Sequence, residues 1–309
     1  MLFNYKRIIK SRRARQHLLR LFDWVPDRIM VSLQYRMKTG RRPDLKNPQR
    51  FTEKLQWLKL NYRNSLMQQC ANKVDVRSYV ASCGLEYILV PLLGVYDSPQ
   101  EIDFDALPER FVLKDSLGGG GNDVIICSDK RSFRKTEACE QMSRWVTSGT
   151  HRRHPGREWV YDTSGSSRIL CESYIEADDG SSLMEYKFFC SYGEPSFLYV
   201  LADRVLGKSV SLGIYEAEGF RKVDAYRVDE NRLERRIPIP PNYQLMLEIA
   251  KVLSAPFPSV RVDLYDLGEQ GGVRFGELTF FDGSGYFSYD PDSFDFDIGS
   301  TVKLDGRDG

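Results

Sequence analysis

The stretch FVLKDSLGGGGNDVII, residues 111–126, decides how the rest of the chain is read. Two β-prone apolar runs, 111–113 and 124–126, flank four consecutive glycines, Gly118, Gly119, Gly120 and Gly121. Four glycines in a row cost backbone entropy and contribute no packing. They belong where the main chain must approach something closely and aim its amides at it, as with phosphate oxygens. No Gly-Lys-Ser/Thr follows, so this is not a P-loop, and a strand rather than a helix comes next, so it is not a dinucleotide fingerprint. What remains is a glycine hairpin, with Lys114 at the end of its incoming strand, within reach of a phosphate.

Working outward, a second chemical pattern lies in VRVDLYD (260–266) and FGELTFF (275–281). Alternation along a strand puts Arg261 and Asp263 on one face, and Glu277 and Thr279 on one face of the next strand. Two carboxylates brought together on neighbouring strands repel unless a cation sits between them. Oxygen ligands of this kind suit Mg²⁺, which commonly takes one or two carboxylates together with nucleotide phosphates. Phe275, Leu278 and Phe280 supply the apolar positions expected to face the core.

Between and before these patterns the periodicity predicts a mixture of elements. Residues 5–22, with Ile8, Ile9, Leu18, Leu19, Leu21 and Phe22 among arginines, read as an amphipathic helix. Thr52 reads as the cap of a helix with Phe51, Leu55, Leu58 and Leu60, and one further helix is expected over 65–83, stopping at Gly84. YILVPLLGVY (87–96) reads as a buried strand and turn. Helices are predicted at 132–147 and 243–253, with strands at 110–115, 123–128, 168–175, 185–191, 196–202, 259–266 and 272–281. Paired strands with occasional helices, rather than strict βα alternation, imply α+β with antiparallel sheets.

Composition excludes several classes. The chain has 309 residues, 41% hydrophobic and 28% charged, which argues against a mostly disordered protein. Its longest apolar run, Tyr87–Tyr96, is too short to span a bilayer and contains Pro91. The first residues carry charge where a signal peptide would be apolar. Six scattered cysteines with no CxxC pair read as reduced structural thiols of a cytoplasmic protein. Only three histidines are present, which disfavours a His-dependent hydrolase. The net charge of +1 hides an asymmetry: residues 1–42 hold 12 Lys/Arg against Asp23 and Asp27, a segment of +10 that leaves −9 on the remainder. A basic head of this kind fits an anionic membrane surface or an acidic glycan, and no nucleic acid is expected.

Taken in order, NPQRFTEKLQWLKL, NKVDVRSYV, LVPLLGVYDS, FVLKDSLGGGGN, GREWVY, ILCESYIE, EYKFFC, VRVDLYD and FGELTFFDGSGY resemble the ATP-grasp fold. The similarity is to its TupA-like family, found in bacterial polysaccharide and teichuronopeptide gene clusters. The resemblance covers about residues 45–290 and implies an α+β fold whose two lobes, with antiparallel sheets, clamp ATP. It divides the chain into a basic helical extension (1–45), an N-terminal subdomain (46–110), a lid (111–175), a C-terminal subdomain with the metal site (176–300) and a tail (301–309).

The resemblance also implies roles. Lys73 and Lys114 are expected to hold nucleotide phosphates under the Gly118–Gly121 lid. Glu172, with the backbone through Tyr174 and Ile175, is the expected adenine hinge, and Asp178 or Asp179 the ribose ligand. Asp263 and Glu277 are the expected Mg²⁺ ligands, with Thr279 where many ATP-grasp enzymes have Asn. Arg261 would face the transferred phosphate, and Lys187 a phosphate or the acceptor. Arg153, Arg157, Asp203, Arg204 and Ser284 are the candidate acceptor contacts. The implied reaction uses ATP and Mg²⁺ to join a small-molecule or glycan carboxylate to an amine through an acyl phosphate, in the cytoplasm or at the inner face of the cell membrane. The alternatives are a glycosyltransferase, for which Asp103-Phe104-Asp105 and Asp295-Phe296-Asp297 are formal DxD matches, and a non-catalytic ATP-binding scaffold.

Overall fold

The computed structural model describes residues 18–19, 21–119, 123–148, 154–162, 167–205 and 209–304. Among these, seven α-helices and twelve strands follow in the order α1 (Asp27–Thr39), α2 (Phe51–Asn61), α3 (Ser65–Ala71), α4 (Val76–Ser82), β1 (Leu92–Tyr96), β2 (Phe111–Asp115), β3 (Val124–Cys127) and α5 (Lys135–Ser148). Then come β4 (Ile169–Ser173), β5 (Glu185–Ser191), β6 (Glu194–Val205), β7 (Ser209–Glu216), β8 (Tyr226–Arg227), β9 (Asn231–Arg232), α6 (Tyr243–Ser254), β10 (Val260–Asp266), β11 (Val273–Thr279), β12 (Tyr289–Asp290) and α7 (Phe294–Thr301).

Two main sheets carry the molecule. The smaller has the order β1-β4-β2-β3, and the larger β11-β10-β5-β6-β7-β9, with β8 and β12 forming a separate pair. Every pairing is antiparallel except the short β7–β9 contact. The α+β class with antiparallel sheets is therefore as the sequence predicts.

Each sheet has its own core. In the smaller unit, Phe111, Leu113, Ile169 and Cys171 from the strands meet Met142 and Trp145 of α5, with Ile102 and Phe104 closing the side. This cluster starts at Ile102, and β1 belongs to its sheet, so the lid unit begins ahead of residue 111. In the larger unit, α6 buries Met246, Ile249, Ala250 and Leu253 at helical spacing against Phe188 and Val262 of the sheet. Phe51, Leu55 and Leu58 of α2 join the same cluster.

Several elements differ from the periodicity. The helix expected over 65–83 is two helices, because Asn72 Oδ1 accepts the amides of Val74 at 2.9 Å and Asp75 at 3.4 Å and turns the chain between α3 and α4. Gly84 does end α4, at φ +74°. Thr52 is not a cap: α2 begins at Phe51, and Asp295 of α7 accepts Thr52 N at 3.0 Å and Thr52 Oγ1 at 2.7 Å. Residues 87–96 yield only the edge strand β1, preceded by a 3₁₀ turn at Glu86–Ile88, and Leu92 is exposed rather than buried. The helix expected at 5–22 lies almost wholly outside the described residues. The helix α1 lies inside the segment expected as a basic helical extension, whereas α7 is a helix that the periodicity does not predict.

Candidate functional site

The site is built on a row of cross-strand neighbours in the larger sheet. Lys187 of β5 pairs with Asp263 of β10, and Asp263 pairs with Glu277 of β11. Directly paired residues share a face, so the three charges line up across three strands. One step along, Arg261 pairs with Thr279. A β-bulge between Asp263 and Leu264 absorbs Gly276, where an added Cβ would lie 3.0 Å from Asp263 O. The bulge lets Glu277 face the charged row while Phe275, two residues away, is buried on the other side.

Arg261 is held rigidly. It makes a two-pronged ion pair with Asp263, Nε to Oδ1 and Nη2 to Oδ2, both 2.7 Å, and its Nη1 contacts Asp282. Nη2 also reaches Thr279 Oγ1 at 3.1 Å. Lys187 contacts Asp263 and Glu185, the latter at 2.8 Å, and Arg204 donates to Glu185 at 2.5 Å. Burial alone would strip protons from Arg261 and Lys187. The surrounding carboxylates outweigh it, and both groups hold their protons more tightly than usual.

Glu277 is the less encumbered carboxylate. Its oxygens lie 3.3 Å from Lys73 Nζ and 3.6 Å from Arg261 Nη2, and its side chain is 29% exposed against 4% for Asp263. Burial pushes its pKa up, but Lys73, Lys187 and Arg261 together outweigh this and hold it at about 2. Lys73 is the junction of the two units. It follows Asn72 in the α3–α4 turn, its amide donates to Ser116 O at 2.9 Å, and its ammonium contacts both Gly118 O in the glycine hairpin and Glu277. At Gly118 an added Cβ would lie 2.5 Å from Asp123 Cβ, whereas Gly119 faces open space.

In the lid, Lys114 of β2 donates to Glu172 of β4 at 2.7 Å, and Arg77 of α4 holds the other oxygen of Glu172 at 2.9 Å. Glu172 is thus a buried anchor between two cations. The backbone after it, through Tyr174 and Ile175, leaves the smaller sheet and crosses to β5 of the larger one. Arg110 stacks 5.0 Å from the Tyr174 ring and forms two hydrogen bonds with Glu176.

Other sequence-derived residues are placed differently. Asp178 accepts the amides of Gln270 and Gly271, both at 2.8 Å, so its carboxylate clasps the β10–β11 turn instead of standing free for a ribose. Asp179 accepts the Ser181 amide at 2.9 Å. Arg157 is buried: its guanidinium donates to Phe22 O at 2.7 Å and lies 3.7 and 3.6 Å from Asp23 and Asp27. Asp203 pairs with Arg235 at 2.9 Å on the surface. Gly120, Gly121 and Arg153 lie outside the described residues. Both DxD matches have structural employment: Asp103 closes a turn onto the Asp105 and Ala106 amides, and Asp295 caps α2.

A second polar cluster adjoins Arg261. Ser284, at φ +58° in the turn after β11, contacts Glu158 through its hydroxyl. Its carbonyl accepts from Lys59 Nζ at 2.7 Å and from Gln56 Nε2 at 2.9 Å. Lys59 also donates to Gly156 O at 3.0 Å and lies 4.4 Å from the Tyr286 ring. Burial lowers the Lys59 pKa to about 8, Glu158 opposing, and raises that of Glu158 to about 7, Lys59 opposing. Asp282 links this cluster to the first, bonding Arg261 on one side and Arg227 at 3.1 Å on the other. Lys59, Arg77 and Asp282 escape sequence reasoning, and Glu158 is legible only as part of a charged loop with Arg153 and Arg157. Each is an ordinary charged residue in a helix or loop, and only the burial around it distinguishes it.

The family model for TupA-like ATP-grasp proteins matches residues 53–303. The chain belongs to the TupA-like ATP-grasp family. The match spans α2 through α7 and so contains every site element described above, while α1 lies outside it. No curated protein matches the sequence.

Among solved structures, this family member is similar to a D-alanine–D-alanine ligase from Helicobacter pylori, at 14% identity over 76% of this chain, with a TM-score of 0.41. It is also similar to the D-cycloserine synthetase DcsG (15%, 77%, 0.43) and to an L-amino acid ligase from Bacillus licheniformis (16%, 76%, 0.42). The chain spans 61%, 72% and 49% of the lengths of these proteins.

Proposed function

We propose that this chain is an ATP- and Mg²⁺-dependent carboxylate–amine ligase, acting on a uronic acid or related carboxylate and an amino acid or amine in the making of a bacterial surface polysaccharide. The observation that carries the reading is the position of Lys73, whose ammonium joins the glycine hairpin of one unit to Glu277 of the other. A phosphate chain entering there would replace the Gly118 carbonyl and the Glu277 carboxylate as partners of this cation. The substrate classes rest on the family's gene-cluster setting.

The residues fit both required groups. For Mg²⁺, Glu277 is the more exposed carboxylate, and Asp263, its direct cross-strand neighbour, would exchange its Lys187 contact for the ion while keeping Arg261. Among the described residues no set of three or more His, Cys, Asp or Glu side chains is grouped to hold a metal unaided. A pair of carboxylates completed by phosphates is the usual arrangement for this ion. When bound it would neutralise phosphate charge. For ATP, Lys73 and Lys114 supply cations, Gly118 and Gly119 a main chain without side chains, and residues 173–175 a backbone edge between the two sheets.

The reaction asks for positioning and charge neutralisation rather than a protein nucleophile. The substrate carboxylate attacks the γ-phosphorus, ADP leaves, the amine attacks the activated carbonyl carbon, and phosphate leaves. Arg261, fixed by Asp263 and Asp282, presents a permanent cation that need not reorganise as charge develops. Glu158, with its pKa near neutrality beside Ser284, is suited to take the proton that the amine releases.

The decisive assay measures ADP and phosphate release that requires both an acid and an amine. Lys73→Ala and Glu277→Gln are each expected to lower that rate by about 100-fold while the fold is retained. Release of AMP, or of a nucleoside diphosphate from a sugar nucleotide without ATP, would sink the ligase reading.

A further inference from the structure

The outward side of the N-terminal helix is unlike the rest of the surface. α1 buries Met30, Val31, Gln34 and Tyr35 against the body. Its opposite side exposes Ile29 at 59%, Leu33 at 50% and Met37 at 36%, residues spaced four apart and therefore in one stripe. Trp24, just before the helix, is 80% exposed, and Leu21 and Phe22 ahead of it are exposed as well. Isolated exposed apolar residues are ordinary, but a helical stripe of three preceded by an exposed tryptophan is not.

The stripe is edged by positive charge. Arg28, Arg36 and Arg42 are exposed, and none has a carboxylate partner among the described residues. Arg36 and Arg42, with Ser32, Leu33 and Pro43, line a recess of about 260 Å³ beside the stripe. Two guanidinium groups around such a recess match a phosphate headgroup, the Ser32 hydroxyl being bonded to Arg28 O at 2.7 Å, and the neighbouring apolar stripe matches acyl chains. The residues ahead of α1 add seven more Lys/Arg in positions 1–20. Among the described residues no helix is long and apolar enough to cross a membrane, so the surface would lie on a bilayer rather than span it.

We infer that the outward face of α1, with Trp24 and the Arg36–Arg42 recess, is a docking surface for anionic phospholipid. This is independent of the ligase reading, since vesicle binding needs neither ATP nor turnover. The inner side of the same segment grips the loop that carries Glu158: Gln34 donates to Pro155 O at 2.9 Å and Arg157 to Phe22 O. The helix segment and the loop that carries Glu158 are therefore joined by direct hydrogen bonds.

The test is co-sedimentation of the full chain with vesicles of phosphatidylglycerol and phosphatidylethanolamine, and with vesicles of phosphatidylcholine alone. Binding is expected only to the anionic vesicles and should weaken with salt. Ile29→Glu/Leu33→Glu and Arg36→Glu/Arg42→Glu should each reduce partitioning by about tenfold or more. Because these variants alter a helix, the unmodified chain supplies a second readout: amide hydrogen exchange over residues 24–42 should slow when anionic vesicles are added. Three results would overturn the inference: equal binding to both vesicle types, full competition by glycerol phosphate, which would mark a soluble phosphate ligand, or no binding to anionic vesicles, in which case dimers that Leu33→Glu dissolves would mark a second copy of the chain as the occupant.

Discussion

At the scale of single residues, the site works through charges that hold one another in place. Arg261 illustrates this: a guanidinium gripped by Asp263 and Asp282 cannot swing, so its field is preset. Glu158 is the opposite case, a carboxyl whose burial outweighs the attraction of Lys59 and raises its pKa from 4.5 to about 7. Between those values the folded chain binds more protons than the unfolded one, so stability falls as pH rises through the window. Glu158→Gln is expected to remove that slope, worth up to about 3 kcal/mol across the window. Urea unfolding of both proteins at pH 5 and pH 8 measures it, and parallel slopes would contradict the assignment. Alternation along β10 and β11 made Arg261, Asp263, Glu277 and Thr279 legible in the sequence. Asp178 and Arg157 show the limit: the sequence records that they are charged, but not that an amide pair or a backbone carbonyl already occupies them.

At the scale of elements, two local features do most to set the geometry. The first is the break between α3 and α4, which exists because the Asn72 side chain competes for the amides that would have continued a helix. Asn72→Ala is expected to cost about 1 kcal/mol of stability. It should also weaken nucleotide affinity, because Lys73 loses its fixed exit from the turn; titration calorimetry with a non-hydrolysable ATP analogue tests this. The second is the seat of α7 on the start of α2. An added Cβ at Gly299 would lie 2.1 Å from Gln49 O and 2.7 Å from Phe51 N, both backbone atoms. Gly299→Ala should therefore lower stability by about 1–3 kcal/mol, read as a shift in the denaturation midpoint. The glycine hairpin was conspicuous in the sequence, whereas Gly299 looks like any glycine near the end of a chain.

At the scale of the whole molecule, two separate apolar clusters are bridged by ion pairs. Arg77 and Lys73 of the α3–α4 segment reach Glu172 in the smaller sheet and Glu277 in the larger, respectively. Such a junction can change partners when a polyanion arrives, since the exchange breaks ion pairs and leaves both cores intact. A nucleotide analogue with Mg²⁺ at about 100 times its dissociation constant should stabilise the fold by about 2.7 kcal/mol. A thermal shift is the readout, and it should be absent in Lys73→Ala. An equal shift in that variant would mean that the nucleotide binds elsewhere.

The sequence by itself determined the α+β class, the glycine hairpin and the two-strand carboxylate pair, because strand period and glycine runs are local properties. It also determined that a basic head precedes a more acidic body. Tertiary structure alone decided which charges face which. The bulge at Gly276 turns Glu277 toward Asp263 while Phe275 goes to the core, although a strict period of two would put them on one face. Burial, not residue type, makes Lys59 and Glu158 unusual, and burial is a sum over elements far apart in the chain. For the same reason the apolar stripe of α1 becomes visible only when packing has used the opposite face and left Ile29, Leu33 and Met37 outside.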